Sequence, residues 1–300
     1  MKSGVIVINK EAGITSQGVV SRVKRLLGEK KAGHTGTLDP LATGVLPVLV
    51  GRGVKASEYM LSADKHYKAR LTLGVTTDTE DSTGTVLTRC DRVPTEDEVL
   101  AAVRGFVGEI EQTPPMYSAL KVGGKKLCDL ARQGKEVERE ARRITVFSLE
   151  AERGGEREYT LTVHCSKGTY IRTLCADIGA ALGVGGIMSA LERTSASVFS
   201  LSDGVTLGEL EAMSEEEREE RIIPTETLFE RLGYSRTDIS GYPARLIRNG
   251  QTVAAKKLGI SKDVGERVAI YDEGGFFAIG EMIESDGTLY LKPTKQFEVQ

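Results

Sequence analysis

Alternating apolar and polar residues predict several strands that each bury one face. From Lys65 to Gly74, apolar residues occupy every second position between Tyr67 and Leu73, and polar residues lie between them. This period of two is typical of a strand that packs one face against a core. The same alternation, or a short apolar run, predicts further strands at residues 4–9, 84–90, 143–151 and 159–165. We expect the strand at 84–90 to pair with the one at 65–74.

Capping signals predict helices between these strands. Thr15 and Ser16 can cap a helix that runs to Leu27, because Gly28 follows as a C-terminal stop. The spacing Thr95-x-x-Glu98 is a capping box, and residues 169–182 are predicted to form another helix. Strands and helices in this order predict an α+β fold with a mixed, mostly antiparallel sheet flanked by helices.

The pattern of residues along the chain changes after residue 224. Residues 209–221 are helical by composition but polar on all sides, and Pro224 ends this segment. From Tyr234 onward, short β-type segments alternate with glycine turns, at residues 251–254, 267–271, 275–282 and 288–291. We therefore predict two domains, over residues 1–233 and 234–300, of which the second is small, β-rich and packed against the first.

Composition places the chain among globular proteins. Of its 300 residues, 40% are hydrophobic and 28% are charged, which excludes disorder and collagen. No apolar run approaches the ~20 residues of a membrane span, and the N-terminus lacks the apolar core of a secretory signal, so we expect a cytosolic protein. Four cysteines without a C-x-x-C pair and three separated histidines indicate neither a disulfide framework nor a metal site.

Charge is distributed unevenly along the chain. The total formal charge is −3, but residues 205–230 contain nine Glu and two Arg, so this segment carries −7 and the rest carries +4. Residues 22–31 have five Lys or Arg and one acid, and residues 121–143 have eight against four acids. Such patches can neutralise phosphates if they share one face, although on charge alone an ordinary solvated surface is the simpler interpretation.

The sequence lacks the motifs of several common catalytic and cofactor-binding sites. The triplet Gly183-x-Gly185-Gly186 follows a helix rather than a strand, which argues against a dinucleotide site, and neither a Walker lysine nor a nucleophile elbow is present. Nucleotide cofactors are therefore not indicated. What remains is a glycine-punctuated loop at residues 33–44, in which Asp39 precedes a proline. Taken alone, Asp39 is a turn residue, and Tyr67 and Arg172 have equally ordinary structural interpretations.

Taken together, the motifs of this chain resemble those of the TruB family of tRNA pseudouridine synthases. The most specific match, residues 32–47 around Asp39, follows the family's catalytic motif almost letter for letter. One motif departs from the family, because Glu11 stands where a proline usually follows Lys10, which leaves that turn less rigid. The supporting motifs are Asp64-Lys65-His66-Tyr67, Thr77-Asp78-Thr79-Glu80-Asp81, Pro115-Met116-Tyr117-Ser118-Ala119-Leu120-Lys121, Ser166-Lys167-Gly168-Thr169-Tyr170-Ile171-Arg172 and Leu191-Glu192-Arg193.

The resemblance implies a pseudouridine synthase fold that isomerises uridine 55 in the T-loop of tRNA without a cofactor or metal. It implies that Asp39 is the nucleophile, that Arg172 is its cationic partner, and that Tyr67 and Leu191 contact the two sides of the uracil. Desolvation alone would raise the pKa of the Asp39 carboxyl, and we expect Arg172 to reverse that shift. Whether the carboxylate attacks C1′, attacks C6 or assists loss of the C2′ proton through a glycal stays open.

The resemblance also implies contacts with tRNA. The target base must leave its stack before Asp39 can reach its ribose; His34 corresponds to the residue that fills the vacated place, and Asp81 is expected to contact RNA. The segment 121–143 resembles a mobile insertion that closes over the T-arm, and residues 234–300 resemble a PUA domain. A monomer without an obligate protein partner is implied. Phosphate contacts are expected from three lysines of the insertion, Lys121, Lys125 and Lys126.

Two other functions are compatible with parts of this pattern. A non-catalytic protein could bind tRNA and remodel its elbow, and Asp39 would then be only a turn residue. Hydrolysis or phosphorolysis of a free nucleoside would require a paired acid and base or a phosphate cradle, and the sequence shows neither. Substitution of Asp39 separates the first alternative from catalysis, and turnover of free uridine would support the second.

Overall fold

A computed structural model describes residues 3–297 of the chain, apart from the side chains of Lys121 and Lys126. The strands up to residue 224 are β1 (Gly4–Lys10), β2 (Ala32–His34), β3 (Thr43–Val50), β4 (Lys65–Leu73), β5 (Val75–Thr77), β6 (Val86–Arg89), β7 (Gly108–Gln112), β8 (Lys121–Val122), β9 (Lys125–Lys126), β10 (Arg142–Arg153), β11 (Glu158–Cys165), β12 (Gly186–Ala196), β13 (Phe199–Ser200) and β14 (Ile223–Pro224). The later strands are β15 (Ser235–Asp238), β16 (Val253–Ala254), β17 (Arg267–Asp272), β18 (Gly275–Ser285) and β19 (Thr288–Gln296). The helices are α1 (Ser16–Leu26), α2 (Ser57–Leu61), α3 (Glu96–Arg104), α4 (Leu127–Ala131), α5 (Ile171–Ala181), α6 (Leu207–Ala212), α7 (Glu215–Glu220), α8 (Thr225–Arg231), α9 (Gly241–Arg248) and α10 (Ala255–Leu258).

A large mixed sheet organises the chain up to residue 224. Its strand order is β14-β1-β3-β12-β4-β11-β10-β7, with β13 paired to β12 and β2 paired to β3. The β12–β3 pair is parallel, and the other pairs described in this sheet are antiparallel. The predicted α+β class, with a mixed and mostly antiparallel sheet, is confirmed.

The predicted alternation along β4 determines which side of the sheet is buried. Tyr67, Ala69 and Leu71 are buried, whereas His66 and Lys68 are exposed. Apolar residues of α1, α3 and α5 join the buried residues of β4 in one core. Helices therefore cover this face of the sheet, and the side chain of Tyr67 lies on the helix-covered side.

The long strand β12 lies in the centre of the sheet, although the residue pattern did not predict it. It pairs with β4 on one side and with the start of β3 on the other. Two irregularities in register, between Met188 and Ala190 and between Arg193 and Ser195, interrupt its pairing with β4. Each bulge reverses the side to which the following residues point, so the simple alternation that identifies a strand is lost.

Three further expectations need correction. The loop predicted over 33–44 contains most of β2 and the first residues of β3. The segment 84–90 contributes β6, which pairs with β5 in a separate two-stranded sheet and not with β4; all four residues of β6 are exposed, so no buried face ties it to the large sheet.

The acidic segment forms two helices, α6 and α7, rather than one. The break occurs at Ser214, which caps α7 because its hydroxyl accepts a hydrogen bond from the Glu217 amide at 3.2 Å. The Glu217 carboxylate accepts one from the Ser214 amide at 2.7 Å in return. This reciprocal cap satisfies amides that the first turn of α7 would otherwise leave unpaired.

Residues 235–296 form a second sheet with the strand order β15-β17-β18-β19-β16. Its aromatic residues Tyr271 and Phe276, and Phe297 directly after it, pack with Phe229 of α8 and with the face of β1 and β3 opposite to the one that α1 covers. The second sheet therefore lies against the first through an apolar contact. None of the helices within residues 3–297 has the length and apolar character needed to cross a bilayer.

Candidate active site

A cleft of about 900 Å³ opens at the loop that precedes β3. Its walls come from this loop, from the start of β4, from residues 117–119, from the turn at 166–170 that leads into α5, and from β12. Six of the residues selected from the sequence line the cleft together, although they are far apart in the chain. These residues are His34, Asp39, Tyr67, Asp81, Arg172 and Leu191.

Arg172 and Asp39 form an ion pair in the cleft. The Nε atom of Arg172 lies 3.0 Å from Oδ2 of Asp39. The same guanidinium donates through Nη1 to the Thr79 carbonyl at 3.1 Å and through Nη2 to the Tyr117 carbonyl at 2.7 Å. Because all three nitrogens have a partner and the side chain is buried, Arg172 presents its Nε edge to Asp39 in one fixed orientation.

The backbone at the start of α5 is itself held in place. The side-chain amide of Gln112, at the end of β7, accepts a hydrogen bond from the Tyr170 amide at 2.8 Å and donates to the Tyr170 carbonyl at 3.1 Å. Gln112 is buried. This two-way contact fixes the residue that caps α5, two positions before Arg172.

Asp81 is buried behind Arg172. Its Oδ2 atom lies 3.8 Å from Nη1 of Arg172, and its Oδ1 atom accepts hydrogen bonds from the Thr79 hydroxyl, the Thr83 amide and the Thr83 hydroxyl at 2.6–2.9 Å. The guanidinium therefore lies close to two carboxylates. The contact with RNA expected for Asp81 stays a prediction.

The net direction of the pKa shift at Asp39 differs from the expectation. Burial raises the pKa of the Asp39 carboxyl, Arg172 and Lys10 lower it, and the negative charge of Asp81 raises it further. The pKa stays above its ordinary value. Arg172 thus offsets the effect of desolvation on this pKa only in part, and the nearby charge of Asp81 adds to the upward shift.

Lys10 holds the loop that carries Asp39. It is fully buried at the end of β1, and its Nζ atom donates to the carbonyls of Ala42 at 2.5 Å, Glu11 at 3.0 Å and Pro40 at 3.2 Å. Burial lowers the pKa of the Lys10 ammonium to about 8, although Asp39 acts in the opposite direction. Lys10 therefore holds the part of the loop that follows Asp39, through the backbone carbonyls of Pro40 and Ala42.

Tyr67 and Leu191 provide apolar lining for the cleft that contains the Asp39 carboxylate. They lie on the adjacent strands β4 and β12, and both are nearly buried. Burial raises the pKa of the Tyr67 hydroxyl, and the positive charge of Arg193 opposes that shift. The ring and the leucine side chain can enclose a flat base, while the hydroxyl stays protonated near neutral pH.

His34 lies at the end of β2 and lines the same cleft. Its Nδ1 atom is buried without a hydrogen-bond partner in the part of the chain that the structure describes. Burial, and to a lesser extent the charge of Arg193, lowers the pKa of the His34 imidazole. The ring is therefore neutral at physiological pH, which suits stacking against bases.

The structure describes the side chain of one of the three lysines predicted to bind phosphates. Lys125 is exposed in the β8–β9 hairpin and does not line the cleft. The side chains of Lys121 and Lys126 lie outside the described part of the structure. Within residues 3–297, no group of three or more His, Cys, Asp or Glu side chains is arranged to hold a metal ion.

Some buried cations of the site, among them Lys10 and Arg193, were not assigned a role from the sequence. Lys10 and Arg193 both belong to motifs that the sequence analysis quoted, and those motifs were the only signal. Cations are usually exposed, and the partners of these two are backbone carbonyls. A residue pattern cannot show that kind of partner.

Comparison with known proteins identifies the family. The model described as TruB family pseudouridylate synthase (N terminal domain) matches residues 24–171, and the model described as tRNA pseudouridylate synthase B C-terminal domain matches residues 172–230. The chain is 42% identical to tRNA pseudouridine synthase B of Alkaliphilus oremlandii over 95% of this chain and 94% of that protein. It is 44% identical to the protein of the same name from Saccharophagus degradans over 97% and 95%.

A solved structure shows the same overall fold. A chain in the crystal structure of a Cbf5-Nop10-Gar1 complex superposes with a TM-score of 0.71 at 28% identity, over 98% of this chain and 85% of that one. Since the two family models together match residues 24–230 and both relatives are at least 42% identical over at least 95% of the chain, this chain belongs to the TruB family of pseudouridylate synthases.

Proposed function

We propose that this protein isomerises uridine 55 in the T-loop of tRNA to pseudouridine. The observation that carries the proposal is the ion pair between Asp39 and Arg172 in the cleft that Tyr67 and Leu191 also line. The proposed substrate, tRNA, is supported by the curated relatives, which are tRNA pseudouridine synthases B at 42–44% identity. The position within tRNA follows from the resemblance of the motifs.

The reaction requires the chain to break one bond of the nucleotide and form another. The C1′–N1 bond breaks, the uracil turns, a C1′–C5 bond forms, C5 loses its proton and N1 gains one. In the proposed mechanism Asp39 acts as a carboxylate, and Arg172 orients it and favours its ionised form. Attack at C1′, attack at C6 and a glycal route remain alternatives for the role of that carboxylate.

Other groups of the cleft keep the detached base in place. We assign the Tyr67 ring and the Leu191 side chain to its two faces, so that the uracil can turn without escaping. His34 is assigned to the gap that the everted nucleotide leaves in the T-loop stack, a role for which a neutral ring is suitable. Asp81, which adjoins Arg172, is assigned to a contact with RNA.

The proposal extends to the rest of the chain. Residues 1–233 would form the catalytic domain, with residues 121–143 as an insertion that closes over the T-arm, and residues 234–300 would form a PUA-like domain that contacts RNA. Lys121, Lys125 and Lys126 would bind phosphates of the bound arm. We further propose a cytosolic monomer that needs no protein partner; light scattering with and without RNA checks the monomer.

Release of tritium tests the proposed reaction. A T-arm stem-loop that carries uridine labelled with tritium at C5 is incubated with the full chain, and tritium in the solvent is counted. We expect one tritium released per RNA, and none from a stem-loop with cytidine at position 55 and labelled uridine elsewhere. Tight binding of the stem-loop without release would instead support the non-catalytic tRNA-binding protein.

A further inference from the structure

Arg193 is an unusual cation in this structure. Its side chain is 1% exposed, and no carboxylate lies within ion-pair distance of it among residues 3–297. A buried charge without a counter-charge is costly unless other groups compensate it. Here the Nε atom donates to the Val45 carbonyl at 2.7 Å and Nη2 donates to the Gly36 carbonyl at 3.2 Å.

These two carbonyls belong to opposite ends of the loop that carries Asp39. Gly36 lies three residues before Asp39, and Val45 lies in β3, which begins after the loop. One guanidinium thus fixes both ends of the loop. Since Lys10 contacts the carbonyls of Pro40 and Ala42 between them, Lys10 and Arg193 hold different parts of the same loop.

The register of the sheet places Arg193 next to Tyr67. Arg193 is directly opposite Tyr67 on β4 and directly opposite Gly44 on β3. The guanidinium charge lowers the pKa of the Tyr67 hydroxyl, against the effect of burial. Arg193 is therefore the point at which the strand with the tyrosine, the central strand and the Asp39 loop meet.

We propose that Arg193 is a positioning residue for the reaction, which fixes the Tyr67 hydroxyl relative to the Asp39 loop. This inference rests on the proposed function and adds a residue to it. The planar guanidinium can donate to two carbonyls while its charge acts on the hydroxyl. Lysine offers one charged group without that fork. Loss of Arg193 therefore slows the chemical step and leaves the surface that binds RNA unchanged.

Single-turnover kinetics test this role. Tritium release at saturating enzyme and the Kd for the T-arm stem-loop are measured for Arg193→Lys, for Arg193→Gln and for Arg70→Gln, a control on the exposed face of β4. We expect Arg193→Lys to release tritium about 100-fold more slowly, which corresponds to ~2.7 kcal/mol, with Kd changed less than about threefold. The control should match the wild type. A wild-type rate in Arg193→Lys, or a loss explained by Kd, overturns the inference.

A second measurement needs no RNA and no turnover. 3-Fluorotyrosine is placed at position 67 of the full chain, and the phenol, which fluorine makes more acidic, is titrated by ¹⁹F NMR. We expect Arg193→Gln to raise the pKa of this phenol, because a nearby cation favours the phenolate. An unchanged pKa in a folded variant contradicts the inference. If Arg193→Gln does not fold, the rate of tritium release by Arg193→Lys, which keeps the charge, tests the inference.

A double-mutant cycle shows whether Arg193 acts through Tyr67. If it does, Arg193→Lys costs much less in the Tyr67→Phe background than in the wild type. Equal costs in both backgrounds contradict the inference. The proposed function fails separately, since it is lost only if the wild-type chain releases no tritium.

Discussion

The hydroxyl of Ser16 exchanges two hydrogen bonds with the backbone of Leu38, the residue before Asp39. It donates to the Leu38 carbonyl at 2.9 Å and accepts from the Leu38 amide at 2.8 Å. Ser16 lies in the first turn of α1, where Thr15 and not Ser16 provides the helix cap, because the Thr15 hydroxyl accepts from the Gly18 amide. Helix α1 therefore anchors the loop of the candidate nucleophile.

Ser16→Ala tests this anchor. The substitution leaves the Leu38 amide and carbonyl unpaired in a buried place, which costs about 1–3 kcal/mol of unfolding free energy. We expect the single-turnover rate to fall about tenfold as the loop loosens. Urea unfolding and tritium release measure the two effects. The matched control is Ser21→Ala on the exposed side of the same helix, where the hydroxyl contacts only the Gln17 carbonyl; comparable losses in both variants would refute the anchor.

Gly44→Ala tests the close approach between the Asp39 loop and β12. Gly44 has a φ of +100°, and a Cβ atom there would overlap the carbonyl oxygen of Arg193. We expect a loss of more than about 3 kcal/mol in unfolding free energy. Gly28→Ala is the comparison, since Gly28 has a φ of +62° but open space around it, and it should cost only about 1 kcal/mol. Similar losses from both substitutions would mean that backbone strain, and not the contact with β12, accounts for the loss in unfolding free energy.

Lys10 predicts a particular dependence of stability on pH. Its pKa is about 8 in the folded chain and 10.5 ordinarily, so between these values the unfolded chain binds more protons at this residue. Stability linked to Lys10 therefore increases as the pH rises from 8 to 10.5, and the penalty for the buried charge is fully present below pH 8. We expect the unfolding free energy of the wild type to increase relative to that of Lys10→Met as the pH rises from 7.5 to 9.5. A difference that stays constant or shrinks would show that Lys10 is not desolvated.

The pH profile of Arg172→Lys tests the link between Arg172 and Asp39. Since the reaction needs the Asp39 carboxylate, the rate is lost as the pH falls through the pKa of Asp39. A lysine cannot replace the fixed Nε contact, so the pKa of Asp39 should rise further. We expect the acid limb of the single-turnover rate to move to higher pH. An acid limb at the wild-type position, with only the plateau lowered, would separate Arg172 from the ionisation of Asp39.

Local signals in the sequence explain which elements could be predicted. β4 alternates without interruption, and Thr95 and Glu98 form the predicted capping box at the start of α3. β12 has no such signal, because its two bulges shift the side-chain pattern. The division of the acidic segment depends on a single cap at Ser214, which competes with a continuous helix.

The residues of the site could be predicted only in part, because no local signal marks them. Asp39, Tyr67 and Arg172 are ordinary residues when taken singly. The family resemblance identified them as a group, and the structure places all three in one cleft. The shared position of Asp39 and Asp81 around one guanidinium depends on the fold. Burial, and to a lesser extent the charge of Asp81, keeps the pKa of Asp39 raised, contrary to the expectation.

The role of the Asp39 carboxylate is tested by Asp39→Asn, which keeps the shape of the side chain and removes its charge. The measurement is tritium release from the C5-labelled T-arm stem-loop in a single turnover, together with the Kd for that RNA. Asp91→Asn, an exposed position away from the cleft, is the control. We expect Asp39→Asn to bind the RNA within about threefold of the wild type and to release tritium at least about 1,000-fold more slowly. Release by Asp39→Asn at more than about a tenth of the wild-type rate would contradict the assignment of Asp39 as the catalytic carboxylate.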